Sequence, residues 1–402
     1  MTTGSGAPPR IGDPQRLARL VARQRLGGDA EDVVEAVRAV VALHSSDPVT
    51  PHLALWARVE GYRTDDLTRA LCEDRSLWRT HAMRRTLFVV PSRDRAVIDG
   101  AASRTVADKE RRRVERWVAP ETGPQEASAW LRALESRVVE ALEAAGELST
   151  TELARVVPGL DMRITVGSGR WASEASLSSR VLFLLAMQGR VVRTRPAGTW
   201  RSSQYRWAAA TGWFDHGDQG LGEPEARARL AASYLARYGP ATTTDLRWWT
   251  GWTARQSADA LSAVGAVEVR LDDGSTGWVL PGDVDDTDPG QRSVALLPGL
   301  DPATMGWKSR EWFLGDHAAR LFDRNGNAGP TAWVGGRVVG GWAQRPDGEV
   351  VLGLLESVDD EAREALTGEA AGLGDWLDGT IVSSRFPGPL ERELATGSSA
   401  QR

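Results

Sequence analysis

The stretch Ser149-Thr-Thr-Glu152 has the pattern of a capping box, in which a serine hydroxyl and a glutamate carboxylate satisfy each other's free backbone amides at a helix start. Before it, an apolar stripe from Leu134 to Leu142 repeats at helical spacing. After it, the pattern predicts a helix over 173–188, then two strands over 190–195 (RVVRTR) and 199–207 (TWRSSQYRW). The predicted order is helix, capped short helix, longer helix and hairpin.

The same order of elements recurs on both sides of this segment. After it, a helix begins at Ala226, and Thr242-Thr-Thr-Asp245 caps a short helix. Thr253-Ala-Arg-Gln256 is a further capping box that opens a longer helix, and a hairpin over 267–280 turns at Asp272-Asp-Gly274. Before it, a weaker copy is predicted, with helices over 15–24, 31–43 and 65–72 and strands over 76–80 and 85–90.

Two helices followed by a third and a hairpin form the winged-helix plan, which sets its third helix in the major groove of DNA and its hairpin on the backbone. Capped helices and hairpins also occur in many other α+β proteins, so the pattern alone leaves both interpretations open. The region 293–353 differs, because its short strands and glycine turns predict a small sheet or barrel. A closing helix is predicted over 366–377.

Composition excludes several classes of protein. The single cysteine, Cys72, excludes disulfides within the chain, an iron–sulfur cluster and a zinc-finger ligand set. The longest apolar run, 181–187, is too short to cross a bilayer, and Met1–Arg10 lacks the apolar core of a secretory signal. The histidines show no metal-ligand spacing. We therefore expect a cytoplasmic protein without a metal or cofactor.

Charge is segregated along the chain, although the net charge is only −5. The stretch 162–207 contains eight arginines and one acidic residue, whereas 271–290 contains six aspartates and no basic residue. Such segregation fits a polyanion bound on one face, and it equally fits an ordinary solvated surface.

Four stretches resemble the winged-helix superfamily that includes the AlkZ-like DNA glycosylases, and the likeness extends over residues 12 to 390. They are Leu43-His-Ser-Ser-Asp-Pro48 with Leu55-Trp-Ala-Arg58; Met83-Arg-Arg-Thr-Leu87; Ser202-Ser-Gln-Tyr-Arg-Trp207; and Leu300-Asp-Pro302 with Gly306-Trp-Lys308, Leu321-Phe322 and Trp333-Val-Gly-Gly-Arg337. The resemblance implies an α+β fold of three tandem winged helices around a central channel for duplex DNA, plus a small C-terminal β-rich region. Characterised members excise N7-alkylated guanines, bulky natural-product adducts and some interstrand crosslinks, and several protect a bacterium from its own genotoxin.

The resemblance also implies a division of the chain into domains. We predict a flexible N-terminus over 1–11, winged helix 1 with the candidate catalytic motif over 12–98, linker helices and winged helix 2 over 99–212, winged helix 3 over 224–284, the β-rich region over 291–390 and a flexible tail over 391–402.

The candidate catalytic motif departs from the family pattern. Better-known members carry Gln-apolar-Gln or Gln-apolar-Asp, which is thought to place water at the anomeric carbon; here His44, Ser45 and Ser46 stand there, followed by Asp47. In extended backbone His44 and Ser46 share a face, so a neutral imidazole can accept a proton from a water that the hydroxyl holds. Asp47 either orients the imidazole or stabilises cationic charge; alternatively, Asp47-Pro48 caps the next helix.

The candidate DNA contacts are mostly basic and hydroxyl side chains. A strand over 199–207 would place Arg201, Ser203 and Tyr205 on one side and the residues between them on the other. Trp307 either stacks on a base or lies in the core, and Lys308 either contacts a phosphate or takes part in chemistry. The full set is Arg84, Arg85, Arg201, Ser202, Ser203, Gln204, Arg206, Trp307 and Lys308.

The sequence thus predicts a monofunctional DNA glycosylase that excises N7-alkylated or bulky purine adducts, with crosslinks and genotoxin self-resistance as further expectations. Lys109 lies in a charged run typical of a solvated helix face, which disfavours a Schiff-base mechanism. The expected partner is double-stranded DNA containing modified purines, near the nucleoid, with no membrane and no obligate protein partner. The alternative is a non-catalytic winged-helix protein, either a transcriptional regulator or an adduct sensor.

Overall fold

The computed structural model describes residues 7–167, 169, 172–214, 220–288 and 293–397. The chain forms two compact units: unit 1 consists of Met1–Asp66 and Arg227–Arg402, and unit 2 of Leu67–Ala226. Residues 1–6 and 398–402 of the predicted flexible ends lie outside the described residues, as do Arg170 of the basic stretch and His216. No helix among the described residues is long and apolar enough to span a membrane.

The N-terminal part of unit 1 contains a helix, Val49–Trp56, which the sequence analysis anticipated only through the possible cap at Asp47-Pro48. The predicted helix over 31–43 ends at Ala39, because Val41 adopts a left-handed conformation (φ 62°) that breaks the helix. The chain then becomes extended before turning into a new helix. The elements are α1 (Asp13–Arg23), α2 (Val33–Ala39), β1 (Leu43–His44), α3 (Val49–Trp56) and α4 (Thr64–Cys72), the last of which contains the boundary between the units.

Unit 2 contains the elements predicted around the capping box. The Ser149 hydroxyl accepts the Glu152 amide (3.2 Å), and the Glu152 carboxylate accepts the Ser149 amide (2.7 Å), which confirms the box. The elements are β2 (Leu77–His81), β3 (Leu87–Pro91), α5 (Arg95–Ile98), α6 (Arg104–Thr122), α7 (Ala127–Ala145), β4 (Glu147–Ser149), α8 (Thr150–Val156), β5 (Arg163–Val166), β6 (Ser173–Ser176), α9 (Leu177–Met187), β7 (Val191–Pro196) and β8 (Tyr205–Ala209).

The core of unit 2 is built on the predicted apolar stripe. Leu134, Val138 and Leu142 of α7 are fully buried and belong to one cluster with the apolar side chains of α9. Strands β2 and β3 form an antiparallel hairpin, and β8 lies between β4 and β7 in a three-stranded sheet. Burial of these side chains is the main driving force that holds the helices against the sheet.

Two predicted boundaries in unit 2 are wrong. Residues 173–176 form strand β6 rather than the first turn of α9, because they pair with β5 in a hairpin. The second strand of the wing begins at Tyr205 rather than Thr199, since the Ala197 amide donates to the Gln204 carbonyl (2.8 Å) and closes a turn between them. Residues 197–204 are therefore a loop, and the predicted alternation along 199–207 does not apply to them.

In the C-terminal part of unit 1, three helices precede a four-stranded sheet along the chain. Its four-stranded antiparallel sheet has the order β11-β12-β13-β14, as predicted for 293–353. The predicted closing helix is confirmed, but the predicted tail over 391–402 is helical as far as Thr396. The elements are α10 (Glu223–Tyr238), α11 (Thr243–Thr250), α12 (Ala254–Ala263), β9 (Val267–Arg270), β10 (Thr276–Val279), β11 (Val294–Leu297), α13 (Pro302–Met305), α14 (Glu311–Leu314), α15 (Ala318–Leu321), β12 (Thr331–Val334), β13 (Arg337–Gln344), β14 (Val350–Leu354), α16 (Asp360–Leu377) and α17 (Pro389–Thr396).

Of the three predicted copies of the helix–helix–helix–hairpin order, the second and third are present, although an unpredicted hairpin, β5–β6, lies between the last two helices of the second copy. The order runs from α7 to β8 in unit 2, and from α10 to β10, where both predicted capping boxes form. The assignment of these segments as winged helices stays a prediction.

A buried ion pair joins the two parts of unit 1. The Arg58 guanidinium donates to both carboxylate oxygens of Asp301 (2.8 and 2.9 Å), and the two side chains are 1 % and 0 % exposed. Arg58 also donates to the carbonyls of Gln24 and Ala54 (both 2.9 Å), while Asp301 accepts the Ala303 amide (2.8 Å). The burial of both charges is offset because each has several hydrogen-bond partners.

We predict that Arg58→Ala and Asp301→Asn each destabilise the protein by about 3–5 kcal/mol, since each leaves a buried group without its partner. Urea unfolding measures the loss, and the double variant Arg58→Met/Asp301→Leu should recover much of it. Arg10→Ala, which breaks the exposed Arg10–Asp272 pair of the same unit, is the control, with an expected cost below about 1 kcal/mol. Equal losses for Arg58→Ala and Arg10→Ala would contradict this account.

Candidate active site and nucleic-acid interface

The loop from His44 to Asp47 alternates in burial. His44 and Ser46 are half-buried, whereas Ser45 and Asp47 are 1 % and 4 % exposed. Strand β1 ends at His44, and the alternation in burial continues over the three residues that follow it. The Ser46 amide donates to His44 Nδ1 over a long 3.4 Å, and the Ser46 hydroxyl has no hydrogen-bond partner among the described residues. The predicted pair is thus brought together on the accessible side of the loop.

Asp47 is held in backbone hydrogen bonds. Its Oδ1 accepts the amide of Val49, the first residue of α3 (3.2 Å), and its Oδ2 accepts the amide of Arg385 (2.7 Å). Burial raises the pKa of the Asp47 carboxyl, which these bonds and the Arg385 charge partly offset. Asp47 therefore interacts with the start of the next helix, as the second of the two predictions for this residue stated. Its carboxylate fixes both the start of α3 and a distant loop.

That distant loop lies between α16 and α17 and is fixed at further points. Gln344 of β13 donates to the Thr380 carbonyl (3.1 Å) and accepts the Val382 amide (2.7 Å). Buried Glu391 accepts the Ser384 amide (3.1 Å). Side chains from the sheet, from α17 and from the His44 loop thus position consecutive parts of one segment.

Trp307 and Lys308 take part in the packing of unit 1. The Trp307 ring is 2 % exposed and its Nε1 donates to the Tyr238 carbonyl (3.0 Å), so the ring has no free face for a base. The Lys308 amide donates to Asp245 (2.8 Å), the capping residue of α11, while the Lys308 side chain is exposed. The motif Gly306-Trp-Lys308 is therefore structural through its backbone and its tryptophan, and we withdraw Trp307 as a DNA contact.

Arg84 and Arg85 lie in unit 2 at the turn between β2 and β3. Both are exposed and both have left-handed backbone, with φ of 54° and 61°. Strained residues of this kind persist only where the surrounding structure holds them, and they occur frequently at functional sites. Arg85 also pairs with the buried carboxylate of Glu110 (3.1 Å).

The other candidate DNA contacts lie at or beside the loop 197–204 of unit 2. Arg201, Ser203 and Gln204 are exposed, and the Ser202 hydroxyl accepts the Gln204 amide (3.1 Å). Arg206, by contrast, lies in β8, where it donates to the Glu147 carbonyl (2.7 Å) and pairs with Glu152 of the capping box (3.3 Å). Arg206 therefore has partners within its own unit, and Arg201, Ser203 and Gln204 are the exposed members of this group.

A cluster of buried basic residues in unit 2 was not predicted. The guanidinium groups of Arg79 and Arg193 lie over the rings of Tyr205 and Trp207, at 4.4 and 4.5 Å from the ring centroids. Burial, with the nearby charges of Arg193 and Arg85, lowers the pKa of His81 to about 2, so its imidazole is neutral. Arg79 and His81 stand two apart on strand β2, but the predicted strand ended at residue 80, so the sequence analysis gave no indication that they share a side.

No group of three or more potential metal ligands occurs among the described residues.

We predict that Glu391→Gln raises the stability of the protein at neutral pH. Burial, with the nearby Asp47 carboxylate, raises the pKa of Glu391, so its ionised form is disfavoured in the folded state. Wild-type stability should therefore fall as pH rises from the unfolded to the folded pKa, and the neutral amide removes that fall. Melting temperatures between pH 4.5 and 7.5 should show a gain of roughly 2 °C at pH 7. Exposed Glu364→Gln is the control; a loss of stability in Glu391→Gln at pH 7 contradicts the prediction.

Comparisons with known proteins identify the family and the fold of the chain. The model of the family described as DNA glycosylase AlkZ-like matches residues 37–376. The chain is similar in fold to the DNA glycosylase AlkZ of Streptomyces sahachiroi, with a TM-score of 0.68 and 21% sequence identity over 94% of this chain and 99% of that one. A comparison with curated protein sequences gave no match. Because the family model covers most of the sequence, the chain belongs to the AlkZ-like DNA glycosylase family and is a DNA glycosylase.

Proposed function

We propose that the enzyme hydrolyses the N-glycosidic bond of N7-alkylated or bulky purine adducts in duplex DNA at the His44–Asp47 loop. The observation that carries the proposal is the alternation of burial, which leaves His44 and Ser46 accessible side by side while Ser45 and Asp47 anchor the loop. A pair of accessible polar groups on a fixed loop is suited to hold one water molecule in a reactive position.

An imidazole and a hydroxyl group suffice for the hydrolysis of N7-modified purine nucleosides, because the leaving base needs little protonation. Alkylation at N7 makes the base cationic, so it departs as a neutral molecule and needs little help from a general acid. The enzyme's task is to position water against an oxocarbenium-like sugar, as carboxylates do in glycoside hydrolysis. In this mechanism the Ser46 hydroxyl holds the water and the His44 imidazole accepts its proton.

The tautomer of His44 determines how it acts. When Nδ1 accepts the Ser46 amide, the proton of the neutral ring is on Nε2, and the ring can only donate to the water. A hydrogen bond of 3.4 Å is weak, so its loss costs little, and the other tautomer then presents Nε2 as the acceptor. We assign the base role to this second tautomer.

Asp47 acts in the proposal as a positioning residue. Both of its oxygens accept backbone amides, so its carboxylate fixes the loop instead of meeting the sugar. Its negative charge still favours positive charge developing nearby, in proportion to its ionised fraction.

DNA contacts are assigned to the exposed basic groups that remain from the predicted set. They are Arg84 and Arg85 at their strained turn, Arg201 with the neighbouring polar groups of the 197–204 loop, and the exposed side chain of Lys308. The winged-helix assignment of the three segments, cytoplasmic location near the nucleoid, processing of crosslinks and protection against a self-made genotoxin belong to the same proposal. They rest on family resemblance.

The first prediction for this mechanism concerns base release. Wild-type enzyme should release the base from a duplex carrying one N7-methylguanine, leaving an abasic site that heating in alkali cleaves. His44→Ala should lower the single-turnover rate about 10²–10⁴-fold, as expected for loss of a general base, and Ser46→Ala should lower it less. Exposed Arg324→Ala should match wild type.

The result can refute the assignment at two levels. Release that is unchanged in folded His44→Ala protein would reject the His44 role while retaining the enzyme. No release by wild type from either N7-methylguanine or a bulky N7 adduct would reject the proposed substrate class.

A second prediction concerns the lysines. A monofunctional enzyme forms no Schiff base, so borohydride should trap no covalent protein–DNA adduct during turnover, and Lys308→Ala should retain the wild-type excision rate at saturating enzyme. Lys109→Ala, on the exposed face of α6, is the matched control. A trapped adduct that disappears in Lys308→Ala would show a lyase mechanism instead.

A further inference from the structure

We infer that Arg385 is a phosphate-binding residue of the active site, which contacts the DNA backbone beside the reacting nucleoside. The inference rests on the proposed function of the His44–Asp47 loop. It adds a DNA contact that comes from a segment more than three hundred residues later in the sequence.

The backbone of Arg385 is fixed to the candidate catalytic loop. Its amide donates to the buried carboxylate of Asp47 over 2.7 Å, a short charge-assisted bond. The preceding residue, Ser384, is fixed in turn by Glu391 of α17. The segment therefore delivers Arg385 to one defined place, as a preorganised binding group requires.

The side chain of Arg385 reaches the accessible side of the same loop. One Nη1 hydrogen bond of 3.1 Å joins it to the carbonyl of Ser46, and the side chain is exposed. Among the residues that the structure describes, no carboxylate forms an ion pair with this guanidinium, so its remaining N–H donors face solvent. A guanidinium has a planar fork of donors that matches phosphate oxygens.

The charge of the substrate selects the phosphate as the ligand. An N7-alkylated guanine is cationic and the sugar becomes cationic in the transition state, so an uncompensated guanidinium would repel both. A phosphate of the same nucleotide is anionic, and its binding neutralises Arg385 close to the reacting sugar. Through the Ser46 carbonyl, the same contact aligns the loop with the DNA strand.

The test compares the salt dependence of DNA binding among variants of the full chain. Dissociation constants for an undamaged duplex and for one carrying a single N7-methylguanine are measured between 50 and 200 mM salt, and log Kd is plotted against the logarithm of the salt concentration. Arg385→Ala and Arg385→Gln should each reduce the slope of this plot by about 0.9, the value for one phosphate contact in duplex DNA. Arg385→Lys should retain most of the slope, because it retains the charge. Exposed Arg324→Ala, in the same unit, should match wild type.

Folding is not expected to change, since Asp47 binds the backbone amide that every one of these variants keeps. Melting temperatures of the variants check this, and the two neutral variants test the salt dependence independently of each other.

In single-turnover excision, Arg385→Ala should raise the enzyme concentration at half-maximal rate about tenfold, which corresponds to roughly 1.4 kcal/mol.

The outcomes separate this inference from the proposed function. A wild-type slope in both neutral variants overturns the Arg385 assignment, whether or not base is released. A reduced slope in both, with no base released by wild type, supports the phosphate contact and rejects the proposed substrate. A reduced slope together with base release supports both.

Discussion

The buried pair of Arg58 and Asp301 is the interaction on which the position of the candidate catalytic loop, His44–Asp47, depends. Helix α3 follows directly after the His44–Asp47 loop, and Arg58 lies just beyond its end. At the other end of α3, the Thr50 hydroxyl donates to the Gly299 carbonyl (2.8 Å). One helix is thus joined at both ends to the segment Gly299–Asp301, so the loop has a fixed place against the C-terminal part of unit 1.

Two other buried carboxylates, those of Asp245 and Asp47, also connect distant segments of unit 1. Asp245 is fully buried; its Oδ2 accepts the Thr242 amide within its own capping box, and its Oδ1 accepts the amides of Lys308 and Ser309. Asp47 combines a local amide with that of Arg385. In each case a carboxylate satisfies backbone donors from a second segment, which stabilises a long-range connection at the cost of burying one charge. Asp47 and the Gly306-Trp-Lys308 motif, which both lie in stretches that carry the family resemblance, therefore take part in connections of this kind.

The sequence could predict what depends on local chemistry. Capping boxes at Ser149, Thr242 and Thr253 form as expected, because a cap needs only residues three apart. The predicted proximity of His44 and Ser46 is likewise local, since the two residues are only two apart. Helix α3 was anticipated only through the possible cap at Asp47-Pro48, and the left-handed Val41 before it had no local signal, since a valine gives no warning of positive φ.

The sequence could not predict side-chain roles that depend on partners far away along the chain. Nothing local distinguishes Arg385 from other arginines, because its importance comes from Asp47 and Ser46, which precede it by most of the chain. Trp307 shows the converse: its place in a motif suggested a DNA contact, and only its burial against Tyr238 places it in the core. The length of the second hairpin strand was likewise overestimated, because the hydrogen bond from the Ala197 amide to the Gln204 carbonyl closes a turn that includes the first part of the predicted strand.

The central claim is that the His44–Asp47 loop positions water against the oxocarbenium-like sugar of the transition state. Its most direct test is the affinity for a duplex containing a pyrrolidine abasic-site analogue, which imitates that cation, relative to an undamaged duplex. The account predicts that wild type prefers the analogue by at least about 10²-fold, as transition-state analogues generally do. It also predicts that His44→Ala loses this preference while it binds undamaged DNA as before. No preference in wild type, or a preference that His44→Ala retains, would contradict the account.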